Sequence, residues 1–544
     1  MKLKKIVLAC AAALALPMSM SAHAVAPTGP FDNVGVLQVF LSGASAPDNF
    51  LATNLAGLLK PGFFSYTVTG NSNYRAFLGE TIATAPAGSV GFPTNQKILF
   101  IKRSEGGSVF GVNPIGLNDP IKTMVRSLAT DAANTSSICT AVGTTVTCTS
   151  AAVVGIDPGF TGAPGAAIPA DFGVSDVAPF MFKEPFNVEY SQLLGGPAPQ
   201  LSSTSNLTIR SVNTLAMGIV TTKDVPDSLV ISKADYHAML TGSVVDWNTF
   251  GAGINTATDT KTNVVVCRRV PGSGTQTSYN WYFNNFPCTV NSLTSGVSGN
   301  STPSRMTDSA GYFGFTLGTG DGSSAANAIG VDVTAGYTVI ENSGSGNVRS
   351  CLTAAANNLV YTFQDEAGLH HNVNFNAVPA GHTATTGWRA VGVLSLDSQT
   401  NTALAGPVLP GTGGSESAWF FRALDGNGRF YQNGQTCLVG ANITGPNAAP
   451  TGGTPASGTC PNRANLRTGK YDFAAELTMQ YRTGTLGAKQ GFVDAFITRA
   501  GDPSFQALWT MALPGGAVAP DGVNAVSFAS RQLGNQCRPL VRQP

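Results

Sequence analysis

Apolar and polar positions follow two rhythms along this chain, and the switches between them mark its elements. VLQVFLSGASAPDNFLATNLAGLL (36–59) opens as a short apolar strand and breaks at small residues. It then resumes with Phe50, Leu51, Leu55, Leu58 and Leu59 on one helical face. KILFIKRSEGGSVFGVNPI (97–115) repeats the order strand, Gly/Ser turn, helix, and ADFGVSDVAPFMF (170–182) is a strand ending in a Ser-Asp turn. TLAMGIVTTKD (214–224) reads as a buried strand. SKADYHAMLTGSVVDWNTFG (232–251) predicts a helix capped by Ser232 and stopped by Gly242.

The theme recurs further on. NVVVCRRVPGSGTQTSYNWYFNNF (263–286) runs an apolar strand into two arginines, then into Gly-Ser-Gly-Thr, then into an aromatic-studded helical segment. GYTVIENSGSGNVRSCLTAAANN (336–358) does the same without the arginines. KYDFAAELTMQYR (470–482) returns to regular structure, and KQGFVDAFITRAG (489–501) is an amphipathic helix. Strands alternating with helices predict an α/β fold with largely parallel sheets. No period of ~20–50 residues is visible, which excludes a solenoid. The Ala/Thr/Gly-rich stretch 127–170 reads as an insertion outside the core, and 289–328 and 405–465 as loop insertions.

The leader changes the picture of where the protein works. MKLKKIVLACAAALALPMSMSAHA has basic Lys2, Lys4 and Lys5, an apolar run, and Ala22-His23-Ala24 as a small-x-small site. Residues 1–24 are therefore expected to be a signal peptide. No later apolar run reaches the ~18 residues of a membrane span. The chain has 31 Lys and Arg against 30 Asp and Glu, with three of those lysines in the leader. A near-neutral balance argues against nucleic acid or an anionic membrane as partner. A chain of 544 residues exceeds what one core normally holds, so two or more lobes are expected.

Nine cysteines are present, and with Cys10 in the leader an even set remains for an oxidising compartment. Local spacing predicts Cys139–Cys148 across a hairpin. It also predicts Cys267–Cys288 bracing a strand–helix unit and Cys437–Cys460 closing a Pro/Gly-rich loop, which leaves Cys351–Cys537 by elimination.

Candidate chemistry centres on the turn 272–275. Glycines let a backbone approach a ligand closely, and a helix N-terminus presents N–H groups with partial positive charge. Ser273 and Thr275 add hydroxyls, and Arg269 offers a fixed fork of donors. Taken alone the turn is an ordinary N-cap. However, SGASAP (42–47) and RSEGGS (103–108) are similar small-residue turns opening predicted helices. Three such termini and an arginine suit one tetrahedral oxyanion. Asp176 supplies a carboxylate at a strand end and by itself reads as a cap or surface turn. His370, His371 and His382 sit in a polar stretch and read as an exposed turn, not a metal site. Ser273 lacks the G-x-S-x-G setting of a hydrolase nucleophile.

These segments carry a resemblance. VVCRRVPGSGTQTSYNWYF resembles the Val-Arg-Arg-x-x-Gly-Ser-Gly-Thr segment of the phosphate-binding proteins that serve bacterial phosphate importers. LSGASAP is similar to their opening ligand loop, RSEGGS to their Gly-Ser-Ser-Gly-Gly turn, and DFGVSDVAP to Phe-Gly-Ala-Ser-Asp-Ala-Pro. ADYHAMLTGSVVDWN resembles their helix-Gly-x-x-x-x-Trp signature, and GSGNV a later Gly-x-Gly-Asn turn. The matches keep the family's order over about 36–360.

The resemblance implies a two-lobed α/β binding protein of the type 2 periplasmic class, with crossing strands. One lobe would be 25–215 plus 475–544 and the other 216–474. It further implies Arg269, Ser273, Gly274 and Thr275 as ligands from one lobe, facing Ser104, Asp176 and a first loop of Ser45 and Ala46. The implied partner is inorganic phosphate or a similar oxyanion, held by a monomer without a cofactor. An importer's membrane component would be a second partner, in the periplasm or outside the cell. Pro271 departs from the family, whose members often keep an acid two positions after the arginine. Two other readings stay open: a secreted surface or matrix protein that kept the fold and lost transport, and an exported phosphatase.

Overall fold

A computed structural model describes residues 26–30, 32, 34–68, 71–104, 106–118, 139–148, 169–182, 190–191, 196–197, 203–240, 242–251, 261–284, 322–364, 370–378, 386–398, 418–430, 437–442, 451–462, 465–466, 469–502, 517–518, 527–530 and 541–543. The expected signal peptide, Cys288, Cys537 and most of 289–328 lie outside these residues.

In chain order the main strands are β1 (Leu37–Gly43), β2 (Phe64–Val68), β3 (Asn71–Glu80), β4 (Lys97–Arg103), β5 (Cys139–Val142), β6 (Thr145–Cys148), β7 (Phe172–Ser175) and β8 (Leu207–Thr222). They continue as β9 (Val265–Arg269), β10 (Thr338–Asn342), β11 (Ala390–Ser395), β12 (Trp419–Arg422) and β13 (Ala474–Arg482). The main helices are α1 (Asp48–Ala56), α2 (Lys233–Leu240), α3 (Gly274–Asn284), α4 (Ser345–Asn357) and α5 (Gln490–Ala500).

Two mixed sheets share one strand. In the first, β1 runs parallel to β4 on one side and β7 on the other, and β3, β2 and β13 add antiparallel neighbours. In the second, β9 lies parallel between β10 and β11. Strand β8 pairs with β13 through Leu207–Ala216, then with β11 from Met217 and with β12 from Val220. The expectation of largely parallel sheets therefore holds only for their centres. Antiparallel strands flank both, because β8 returns between the two sheets instead of crossing over one of them.

Each sheet is covered by a helix whose apolar stripe the sequence announces. On the first, Phe496 of α5 stacks on Phe100 (ring centroids 5.2 Å) and meets Phe172 edge-on (5.6 Å). Each such ring, fully buried, contributes roughly 1.5–3 kcal/mol. On the second, Val348, Cys351 and Leu352 of α4 pack against Val265, Cys267 and Ile340. Helix α2 begins where expected: Ser232 and Asp235 bond to each other's main-chain N–H groups at 3.1 and 2.8 Å.

The helix packing corrects two cysteine expectations. Cys267 is joined to Cys351, with Cα atoms 6.1 Å apart, and not to Cys288, so Cys351–Cys537 falls as well. Sequence proximity favoured Cys288, but α4 lies over β9 and brings Cys351 to it from 84 residues away. The remaining described bridges are Cys139–Cys148 and Cys437–Cys460.

Two supposed insertions also contain framework. The β5–β6 hairpin joins the first sheet through β2, and Cys139, Val146 and Cys148 are buried with Tyr66, Leu99 and Ile101. Within 405–465, β12 pairs with β8 and buries Trp419 and Phe421. The Thr-rich hairpin carries only short apolar stretches and gains its burial from pairing with β2, while the short aromatic run Trp419–Phe421 stands between loop-like segments. His370 and His371 lie on a strand (His370–Asn374) of a separate three-stranded sheet, with the His371 ring stacked on Phe363. Among the described residues no helix is long and apolar enough to cross a membrane.

Candidate functional site

The two arginines that end β9 point to opposite faces, as neighbours on a strand must. Arg268 bonds Glu341 of β10 at 3.1 Å, with both side chains buried. That pair ties two strands together. Arg269 turns instead to the seam between the sheets, where its Nη1 donates to Ser45 Oγ (2.9 Å) and Ser345 Oγ (3.3 Å). Its Nε donates to the Asn342 carbonyl at 3.2 Å and its Nη2 to that of Ser343. Two main-chain carbonyls orient the guanidinium, and the Asp176 carboxyl lies within its electrostatic reach.

Loops from the first sheet supply the facing wall. Lys102, buried near the end of β4, donates to the carbonyls of Gly43 and Ala44 (3.3 and 2.9 Å) and to Ser104 Oγ (2.7 Å), and pairs with Asp48 at 3.3 Å. Burial lowers its pKa, while Asp48 and Asp176 oppose that shift. This one ammonium gathers the turns 43–48 and 103–104 side by side. The next turn presses on the second sheet: Val109 N–H donates to the Gly272 carbonyl (2.9 Å) and Gly106 N–H to Ser343 Oγ (2.8 Å). Gly107 has φ 79°, and a Cβ there would stand 2.8 Å from Arg269 Nη2. Only glycine allows both the conformation and the approach.

Asp176 follows β7 and is 1% exposed. Its N–H donates to Ser108 Oγ (3.1 Å), and its Oδ2 accepts from Thr275 Oγ1 (3.3 Å) across the seam. Oδ1 is buried and finds no hydrogen-bond partner among the described residues. Burial pushes this carboxyl up to about 6, against the pull of Arg269, Thr275 and Lys102. Gly274, the first residue of α3, sits so close that a Cβ would lie 2.4 Å from Ser108 Oγ.

The structure thus brings Ser45, Asp176, Arg269, Ser273, Gly274 and Thr275 to one seam. Ala46 and Ser104 stand differently. The Ala46 carbonyl accepts from Ser395 Oγ at 2.8 Å while its methyl joins the core, and Ser104 Oγ is engaged by Lys102 and Asp48. The turn RSEGGS does not open a long helix; a four-residue 3-10 turn (Ser108–Gly111) follows it. Its expected place as a third helix terminus is taken by α4. There the Ser345 N–H donates to Ser45 Oγ at 2.9 Å. Ser345, Ser343, Lys102 and Ser108 were not singled out from sequence. GSGNV carried a signal for the first, and a lysine closing the apolar run KILFI for the third.

No protein-family model matches the chain, and no curated protein matches it. Solved structures do. A DING protein is 12% identical over 88% of this chain and 91% of its own, with a TM-score of 0.34. An ABC-type phosphate transport receptor from Vibrio cholerae is 11% identical over 64% and 80%, with a TM-score of 0.27. PfluDING, a high-affinity periplasmic phosphate-binding protein solved with phosphate, is 14% identical over 87% and 93%, again at 0.27. Superpositions this loose are a likeness and carry no functional argument.

Proposed function

We propose that this protein captures a protonated oxyanion, hydrogen phosphate first among them, between two lobes built on the two sheets. The observation that carries the reading is Arg269. A guanidinium 2% exposed bridges hydroxyls from both halves, Ser45 and Ser345, beside a buried carboxylate with one oxygen unmatched among the described residues. Such a fork, with the first turns of α3 and α4 beside it, suits an anion with several oxygens. Capture is by closure of the lobes over the ligand, without covalent chemistry. The disulfides suit an oxidising compartment and support a location in the periplasm or outside the cell, with an importer's membrane component as a further proposed partner.

Isothermal titration of the mature protein with phosphate tests the reading. Saturable heat is expected, and Arg269→Ala should weaken binding at least ~100-fold, or about 2.7 kcal/mol, with an unchanged circular dichroism spectrum. Silence in the wild type overturns the assignment, and turnover of a phosphomonoester would move it to an enzyme.

A further inference from the structure

Helix α1 starts at Asp48 without a side-chain cap of its own, because Pro47 precedes it. Four N–H groups at a helix start need acceptors. Here the acceptor comes from the other half of the molecule. Asp397, in the short 3-10 turn Leu396–Ser398 after β11, accepts from Asn49 N–H at 3.0 Å (Oδ2) and from Phe50 N–H at 3.2 Å (Oδ1). Its carbonyl accepts from Asn49 Nδ2 at 2.8 Å, and neighbouring Ser395 Oγ donates to the Ala46 carbonyl. Residues 395–397 therefore grip the turn that carries Ser45 to Arg269.

We propose that Asp397 is a positioning residue for anion capture: it caps α1 across the seam only when the halves close, and so holds Ser45 against Arg269. The proposal rests on the oxyanion reading above. Asp397 is 3% exposed, and its hydrogen bonds run to Asn49 and Phe50. The charged groups around it are Asp48 of α1, Arg75 of β3 and Arg349 of α4, with Arg75 also bonded to Asn49 Oδ1 at 3.1 Å. Burial pushes the Asp397 carboxyl up to about 7, and the Asn49 N–H pulls against that shift. A carboxyl so costly to bury stays in the seam because the bare helix terminus needs it. When the halves part, water serves both groups and the bond is lost.

The test uses the full mature chain, with inorganic phosphate as probe, as wild type, Asp397→Ala and Asp397→Asn. Hydrogen exchange is read at the Asn49 and Phe50 amides, and phosphate release by stopped flow. With phosphate bound, the wild type should protect both amides. Asp397→Ala should lose that protection and release phosphate at least tenfold faster, yet keep the wild-type Tm in the absence of phosphate. Asp397→Asn should recover part of the protection, since its amide oxygen still accepts. Wild-type exchange and release in Asp397→Ala overturn the proposal. So does an equal loss of Tm with and without phosphate, which would make Asp397 a static cap. If the wild type binds no phosphate, the oxyanion reading falls by itself. With no anion to capture the positioning role falls too, and exchange then tells a static cap, where protection is lost with Asp397, from no cap at all.

Discussion

Thr275 Oγ1, in the first turn of α3, donates to Asp176 Oδ2 at the end of β7 over 3.3 Å. This bond joins two segments 99 residues apart on different sheets. It satisfies one carboxylate oxygen and leaves the other, Oδ1, buried without a partner among the described residues. Leaving a buried acceptor unmatched costs about 1–3 kcal/mol, more when it is charged. A ligand that brings a proton removes that cost.

Phosphate should therefore outcompete sulfate by at least ~100-fold, about 2.7 kcal/mol, at pH 7.5. An ionised carboxylate only accepts, hydrogen phosphate can donate to it, and sulfate cannot. Asp176→Asn should narrow the gap, because an amide can donate to sulfate. Competition titration reads both, and equal wild-type affinities would show that Asp176 does not read the ligand.

The same carboxyl predicts a pH dependence. Its value in the folded protein is about 6, above the ordinary 3.8, because it is buried. A raised value means that the folded state holds the proton more tightly than the unfolded one. The stabilisation is complete below the ordinary value and is lost as pH rises through about 6. It amounts to something on the order of 3 kcal/mol. Thermal melts of the ligand-free protein should show this slope, and Asp176→Asn should remove its share of it, leaving that of other raised carboxyls such as Asp397. Below pH 6 the protonated carboxyl can itself donate, so sulfate should gain on phosphate between pH 7.5 and pH 5.

Gly274→Ala separates closure from folding. The first turn of a helix favours alanine over glycine by up to about 1 kcal/mol. The added Cβ, however, would stand 2.4 Å from Ser108 Oγ and 2.7 Å from Asp176 Cβ. The ligand-free Tm should hold or rise while phosphate affinity falls at least ~tenfold. Unchanged affinity would mean that the two walls do not need to meet.

The bridge between β9 and α4 should be found by non-reducing peptide mapping as a Cys267–Cys351 peptide. It closes a separation of 84 residues, for which the chain-entropy account gives about 4–5 kcal/mol. A Cys351→Ser variant should lose stability of that order in urea melts. Recovery of Cys267 linked to Cys288 would restore the sequence-local pairing.

What the sequence by itself determined is local. Apolar spacing set β1 and α1, β9 and α3, β10 and α4, and α5, because each periodicity records which face of one element must leave water. The small-residue turns after β1 and β9, and the arginines before the second, could be read as anion chemistry for the same reason: the needed groups lie within a few residues. Tertiary structure alone decided how they are used. Arg268 and Arg269 are identical in composition, and only Glu341 on the neighbouring strand assigns one to the framework and leaves the other for the seam. Ser45 meets Ser345 across 300 residues, and Asp397 reaches the N–H of Asn49 across 348. No local pattern encodes such pairs. They follow from β8 passing between two sheets and bringing their loops face to face, where each buried donor takes the nearest acceptor that water no longer supplies.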